Sequence, residues 1–123
     1  MSRIEKDPTR EDRIAMEAIV DANGPEEQAM GWYYYLDDKI SFPFPAKCTI
    51  ESATSPLRKG TEVKIIGMAS GAECEHEMFV EIEWEKRTLA VPLAQILPLT
   101  GVDANTKEAI EDWHYWVNRG YKF

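Results

Sequence analysis

Glutamates hold the odd positions of the stretch Ala72 to Lys86, AECEHEMFVEIEWEK. They are Glu73, Glu75, Glu77, Glu81, Glu83 and Glu85, with Phe79 the one break, while Cys74, His76, Met78, Val80, Ile82 and Trp84 hold the even ones. A second acidic pair, Asp37-Asp38, precedes Lys39 and Ile40. Carboxylates are hard oxygen donors and suit Ca2+, which takes about six to eight oxygens at roughly 2.3–2.6 Å from carboxylates, backbone carbonyls and water. In an extended chain the alternation sends the acidic row to one side and the apolar row to the other. Side chains two apart on a strand are about 6.6 Å apart, so the row converges poorly on one ion and acts better as an electrostatic attractor. Asp37-Asp38-Lys39 reads instead as a turn, where short side chains and backbone carbonyls from Leu36 to Ile40 can fold round one cation. The primary site is expected there. The alternative is that both aspartates are solvated turn formers and that the glutamates face water or pair with Lys47, Lys64 and Lys86.

The devices of other chemistries are missing. Asp103-Ala104-Asn105 begins like an EF-hand loop, but Lys107, Glu108 and His114 fill the positions that need an oxygen ligand, a glycine and a bidentate glutamate. With two histidines and no G-x-S-x-G, P-loop or Rossmann glycine pattern, the chain does not read as an enzyme. Cys74-Glu75-His76, with Cys48 and His114, imitates a zinc site. No C-x-x-C pair supports it, and Cys74 and His76 share the apolar face of the expected strand. The aromatic run Trp32 to Tyr35 could serve as a platform for proline-rich peptides, although aromatic residues at strand spacing more often pack a core.

Holding such groups in place requires a fold. A chain of 123 residues suits one domain, 1–123, and 44% hydrophobic content with four Trp, five Tyr and four Phe marks it as globular. The net charge of -8 and pI of about 4.8 repel nucleic acid and anionic membranes and attract cations or basic proteins. MSRIEKDPTREDR does not look like a signal peptide and no apolar run approaches a bilayer's thickness, so a cytoplasmic protein is expected. Cys48 and Cys74 read as reduced core thiols.

The expected class is α+β, a small SH3-like β-barrel flanked by N-terminal and C-terminal helices. An N-terminal helical segment, 9–30, holds a helix from Arg10 to Asp21 capped by Thr9 or Asp7. Asn23-Gly24-Pro25 ends it, and a short helix from Pro25 to Met30 follows. The barrel occupies 31–100: Trp32 to Tyr35 extended, then the runs AKCTIESA, KGTEVKIIGMA, EMFVEIEWE and TLAVPLAQI, parted by turn signals at Ser55-Pro56, Gly60, Ser70-Gly71 and Glu85-Lys86-Arg87. A helix over 104–120 starts at an Asn105 or Thr106 cap, sets Ile110, Trp113 and Val117 at helical spacing and closes at Gly120.

Three blocks, GPEEQAMGWYYYLDDKISFPFPAKC, GMASGAECEHEMFVEIEWEKRTLAVPLAQI and EDWHYWVNRGYKF, resemble the small acidic calcium-binding proteins of cyanobacteria over nearly the whole chain. The resemblance implies a cytoplasmic protein that sequesters Ca2+ and sets its free level during cell differentiation, with Asp38 and Asp37 as main ligand positions. Glu26, Glu27, Glu75, Glu77 and Glu81 are the further candidates by chemistry. The competing expectation is an interaction module whose acidic face docks a basic protein partner.

Overall fold

The run Trp32 to Tyr35 is helical, not extended. In the computed structural model, which describes residues 5–53 and 55–123, it lies in the middle of helix α2, Pro25–Lys39. Pro25 at the first helical position and Glu26 and Glu27 in the first turn start the helix as expected. It runs on because Ala29, Trp32 and Leu36 recur at helical spacing and all become buried, which overrides the strand preference of the aromatic residues. Trp32 is fully buried among other aromatic rings, edge-on to Trp113, Trp116 and Tyr35 at centroid distances of 5.1, 5.6 and 5.7 Å.

The first helix is shorter than its pattern. Asp7 caps helix α1, Pro8–Arg13, by accepting from the Arg10 N–H. The chain then widens into a π-helical turn, Ile14–Ala18, in which the Ile19 N–H reaches back to the Ile14 carbonyl at 3.0 Å. Ala18 sits directly against α2 at Gly31, where a Cβ would overlap the Ala18 carbonyl oxygen. Asp21, with a φ of +58°, turns the chain towards Pro25.

Five strands form one antiparallel sheet in the order β4-β3-β2-β1-β5: β1 Phe44–Cys48, β2 Glu62–Met68, β3 Phe79–Trp84, β4 Arg87–Pro92 and β5 Ile96–Pro98. β1 starts and ends earlier than AKCTIESA suggests. The tight turn expected at Glu85-Lys86 is present, both residues having positive φ. β4 and β5 form the two edges and do not pair with each other, while a single 3-10 turn, Leu93–Gln95, connects them. The long acidic alternation is a strand only from Phe79. Gly71–Cys74 is a 3-10 turn capped by Ser70, followed by a bend over 75–77. Within β3 the register is the expected one: Val80 and Ile82 are buried and Glu83 is exposed.

Helix α3, Ala104–Asn118, is capped by Asp103 rather than Asn105 or Thr106. The Asp103 carboxylate accepts the Thr106 N–H at 2.7 Å, and Thr106 Oγ1 in turn accepts the Ser41 N–H at 2.8 Å, which ties α3's start to α2's end. Gly120, at φ +84°, ends it as expected. One hydrophobic cluster joins α2, α3 and the sheet, and no described helix is long and apolar enough to cross a membrane.

Candidate metal centre

Asp37 and Asp38 occupy the last turn of α2 and are both exposed, so they sit at a helix end and not in a free turn. This location changes their chemistry. The final carbonyls of a helix lack internal donors, and the aligned peptide dipoles leave negative potential there. The Ile40 N–H closes the helix on the Leu36 carbonyl at 3.0 Å. Beyond it, the Ser41 N–H is taken by Thr106 and Pro43 has none, so the carbonyls of Asp37 and Lys39 lose the donors a continuing helix would supply. Ile40 has a hydrocarbon side chain, here buried in the core, so its backbone carbonyl is the one oxygen it could offer a cation. Lys39 is drawn aside, 3.4 Å from Glu108, 3.7 Å from Glu17 and 5.5 Å from the Tyr35 ring centroid. Two carboxylates and freed carbonyls thus share the negative end of one helix.

Tyr33, one turn before Asp37, ties this part of α2 to the chain just after β2. Its hydroxyl donates to the Ala69 carbonyl at 2.8 Å. Burial first, then the negative charge of Asp37, Cys74 and Glu81, pushes its hydroxyl above the ordinary tyrosine value. The charges of Asp37 on α2 and Glu81 on β3 are thus both felt at one side chain. Glu77 lies half-buried in the bend before β3, and burial alone pushes its carboxyl up, whereas Glu75 in the same bend is exposed. Glu26 and Glu27 are placed apart from this group: Glu26 precedes Asp38 by twelve residues of continuous helix, about 18 Å along the axis. His76 is exposed and Cys74 buried, so the two do not share a face and the imitation of a zinc site dissolves. Among the described residues no three acidic, histidine or cysteine side chains already form a metal-sized cluster.

One carboxylate escaped the sequence pattern. Asp112 of α3 is fully buried and accepts from Arg10 Nη1 at 2.7 Å, from Arg13 Nε and Nη2 at 2.9 and 2.7 Å, and from the Tyr35 hydroxyl at 2.6 Å. The Asp112 hydrogen bond raises the Arg13 value well above normal, while burial and then the same carboxylate raise Tyr35. Asp112 thereby fixes α1 and α2 against α3, two residues before the Asp37-Asp38 pair. Its partners lie 77 to 102 residues away in the chain, a distance that no local pattern spans.

A family model of the CcbP type, described as calcium binding, matches residues 12–117. No curated protein matches the chain. Among solved structures it is similar to the crystal structure of Anabaena CcbP, at 45% identity and a TM-score of 0.87, with all of both chains covered. It is also similar to a calcium-binding protein in its calcium-binding form, at 44% identity and a TM-score of 0.85, again over all of both chains. With a family match over most of its length and the same fold as these relatives, the chain belongs to the CcbP-type family of calcium-binding proteins.

Proposed function

We propose that this chain sequesters Ca2+ in the cytoplasm through a site that is not an EF-hand, with Asp37 and Asp38 as its first ligands. The observation that carries the reading is the placement of this carboxylate pair beside freed backbone carbonyls at the negative end of α2. Glu81, whose charge is felt at Tyr33 as that of Asp37 is, and the poorly solvated Glu77 are the next candidate ligands. Backbone carbonyls, that of Ile40 among them, and water complete the shell. Such a shell of charged oxygen donors suits sequestration, since the number of ligand charges and the rigidity of the site set the affinity for calcium. The resemblance to calcium proteins of cyanobacteria supports a role in setting free calcium during cell differentiation. The strand order, with a tight β3–β4 turn and a 3-10 turn before β5, supports an SH3-like arrangement of one domain as the scaffold.

Calcium titration by calorimetry tests the site. Asp38→Asn is expected to weaken binding by about tenfold or more, the loss of at least 1.4 kcal/mol. Glu83→Gln, on the exposed side of β3, should change it less than twofold. Equal losses would remove the site from the end of α2.

A further inference from the structure

Among the described residues, four of the seven exposed large hydrophobics, Met16, Val20, Met30 and Tyr34, lie on just two neighbouring elements, the π-helical turn with its exit and α2. Met30 and Tyr34 are one helical turn apart and so share a face. Val20 and Tyr34, 50% and 60% exposed, stand over a shallow groove. The contact of Ala18 with Gly31 forms part of its lining, since neither residue fills the space with a side chain of any size. One end of the groove is acidic. Asp37 and Asp38 line it with no ion-pair partner among the described residues, while Lys39, the cation there, is already engaged by Glu17 and Glu108.

A groove lined by both apolar side chains (Ala18, Val20, Tyr34) and charged ones, with an unneutralised acidic end on a chain of net charge -8, is complementary to one kind of ligand: a helix that carries apolar side chains on one face and lysine or arginine beside them. We infer that this groove docks a basic amphipathic helix of a partner protein, and that Ca2+ at Asp37 and Asp38 expels it. The exclusion rests on the calcium site proposed above, because the same two carboxylates would neutralise either the partner's cation or the metal. Linkage makes the antagonism reciprocal: the factor by which calcium weakens the helix is the factor by which the helix weakens calcium.

A fluorescently labelled amphipathic peptide of leucine and lysine, titrated by anisotropy against the calcium-free protein, tests this. Tyr34→Ala and Val20→Ala, both at exposed positions that leave the core intact, are each expected to weaken binding by about tenfold, as loss of a central anchor does. Saturating calcium should weaken the same peptide by a similar factor, and calorimetry should show the peptide weakening calcium equally. A lysine peptide of equal charge without leucine that binds as well, together with unchanged affinity in both variants, would reduce the groove to a diffuse acidic surface and overturn docking. Sedimentation in which Tyr34→Ala converts a dimer to a monomer would assign the groove to a second copy of the chain instead. Calcium affinity that survives Asp38→Asn would sink the calcium site and the exclusion with it, leaving docking to be judged by Tyr34→Ala alone.

Discussion

At the scale of single residues, the groups that burial displaces from their ordinary titration give the sharpest tests. Burial raises the Glu77 carboxyl above its usual 4.5 with no cation to offset it. A raised folded value means that its contribution is fully favourable below the unfolded value and is lost as pH rises through the folded one. The ionised group therefore costs stability at neutral pH in the absence of calcium. Glu77→Gln should raise the calcium-free melting temperature at pH 7, and the gain should vanish near pH 4. His114 runs the other way. Burial pushes its imidazole below 6.5 despite the opposing backbone bonds to Ile96 and Leu93, so its contribution is present above 6.5 and is lost as pH falls through the folded value. His114→Gln should flatten the decline in melting temperature below that pH. Asp112→Ala leaves two guanidinium groups and a buried hydroxyl without their acceptor. Urea denaturation should show a loss of about 3 kcal/mol or more. Glu77 was visible in the sequence as an acidic residue in an alternating row, whereas nothing near Asp112 in the chain announces its partners.

At the scale of elements, the spacing of apolar residues in β3 revealed which side chains face inward more reliably than residue type revealed the element at α2. The Val80 and Ile82 face of β3, the tight turn at Glu85-Lys86 and the Gly120 stop all follow from local rules of alternation and positive φ. Helix α2 does not, because Trp32 to Tyr35 favour a strand locally and only the tertiary burial of Trp32 and Leu36 decides otherwise. The expected turn at Asp37-Asp38 became a helix end for the same reason, and the acidic row lost its first half to the 3-10 turn that Ser70 caps. Gly31 puts this override to a test. Alanine is favoured over glycine in a helix interior by up to about 1 kcal/mol. At Gly31, however, the new Cβ meets the Ala18 carbonyl oxygen, a backbone atom that cannot swing away as a side chain could. Gly31→Ala should therefore destabilise the protein, by about 1–3 kcal/mol. In β3, Ile82→Asp buries an unpaired charge and should unfold the chain or nearly so, while Glu83→Lys on the exposed side should shift the melting temperature little. Thermal melts of the pair check the register.

At the scale of the whole molecule, 22 acidic residues against 14 basic ones make the calcium-free state repel itself. Binding to the folded state alone adds about 2.7 kcal/mol at a hundredfold excess over Kd, enough to raise the melting temperature of a domain this size by several degrees. Magnesium has the same charge but prefers a tight octahedron at roughly 2.0–2.1 Å and gives up water reluctantly, so the calcium site proposed at the end of α2 should serve it poorly. Calcium should stabilise the protein clearly more than magnesium at equal ionic strength, and Asp38→Asn should remove most of the difference in calorimetric melts. Simple screening of negative charge would treat the two ions alike.

The edge-to-face cluster of Trp32, Trp113 and Trp116, with centroids 5.1 to 5.6 Å apart for the pairs that Trp32 makes, has an optical consequence. Indole rings held this close at fixed angles are an asymmetric chromophore, and Trp32 belongs to the helix whose last turn carries Asp37 and Asp38. The near-ultraviolet circular dichroism of the unlabelled protein thus reports how α2 is seated on α3. An ion that only threads onto the end of the helix leaves that spectrum unchanged, and an ion that pulls α2 towards the acidic strand alters it.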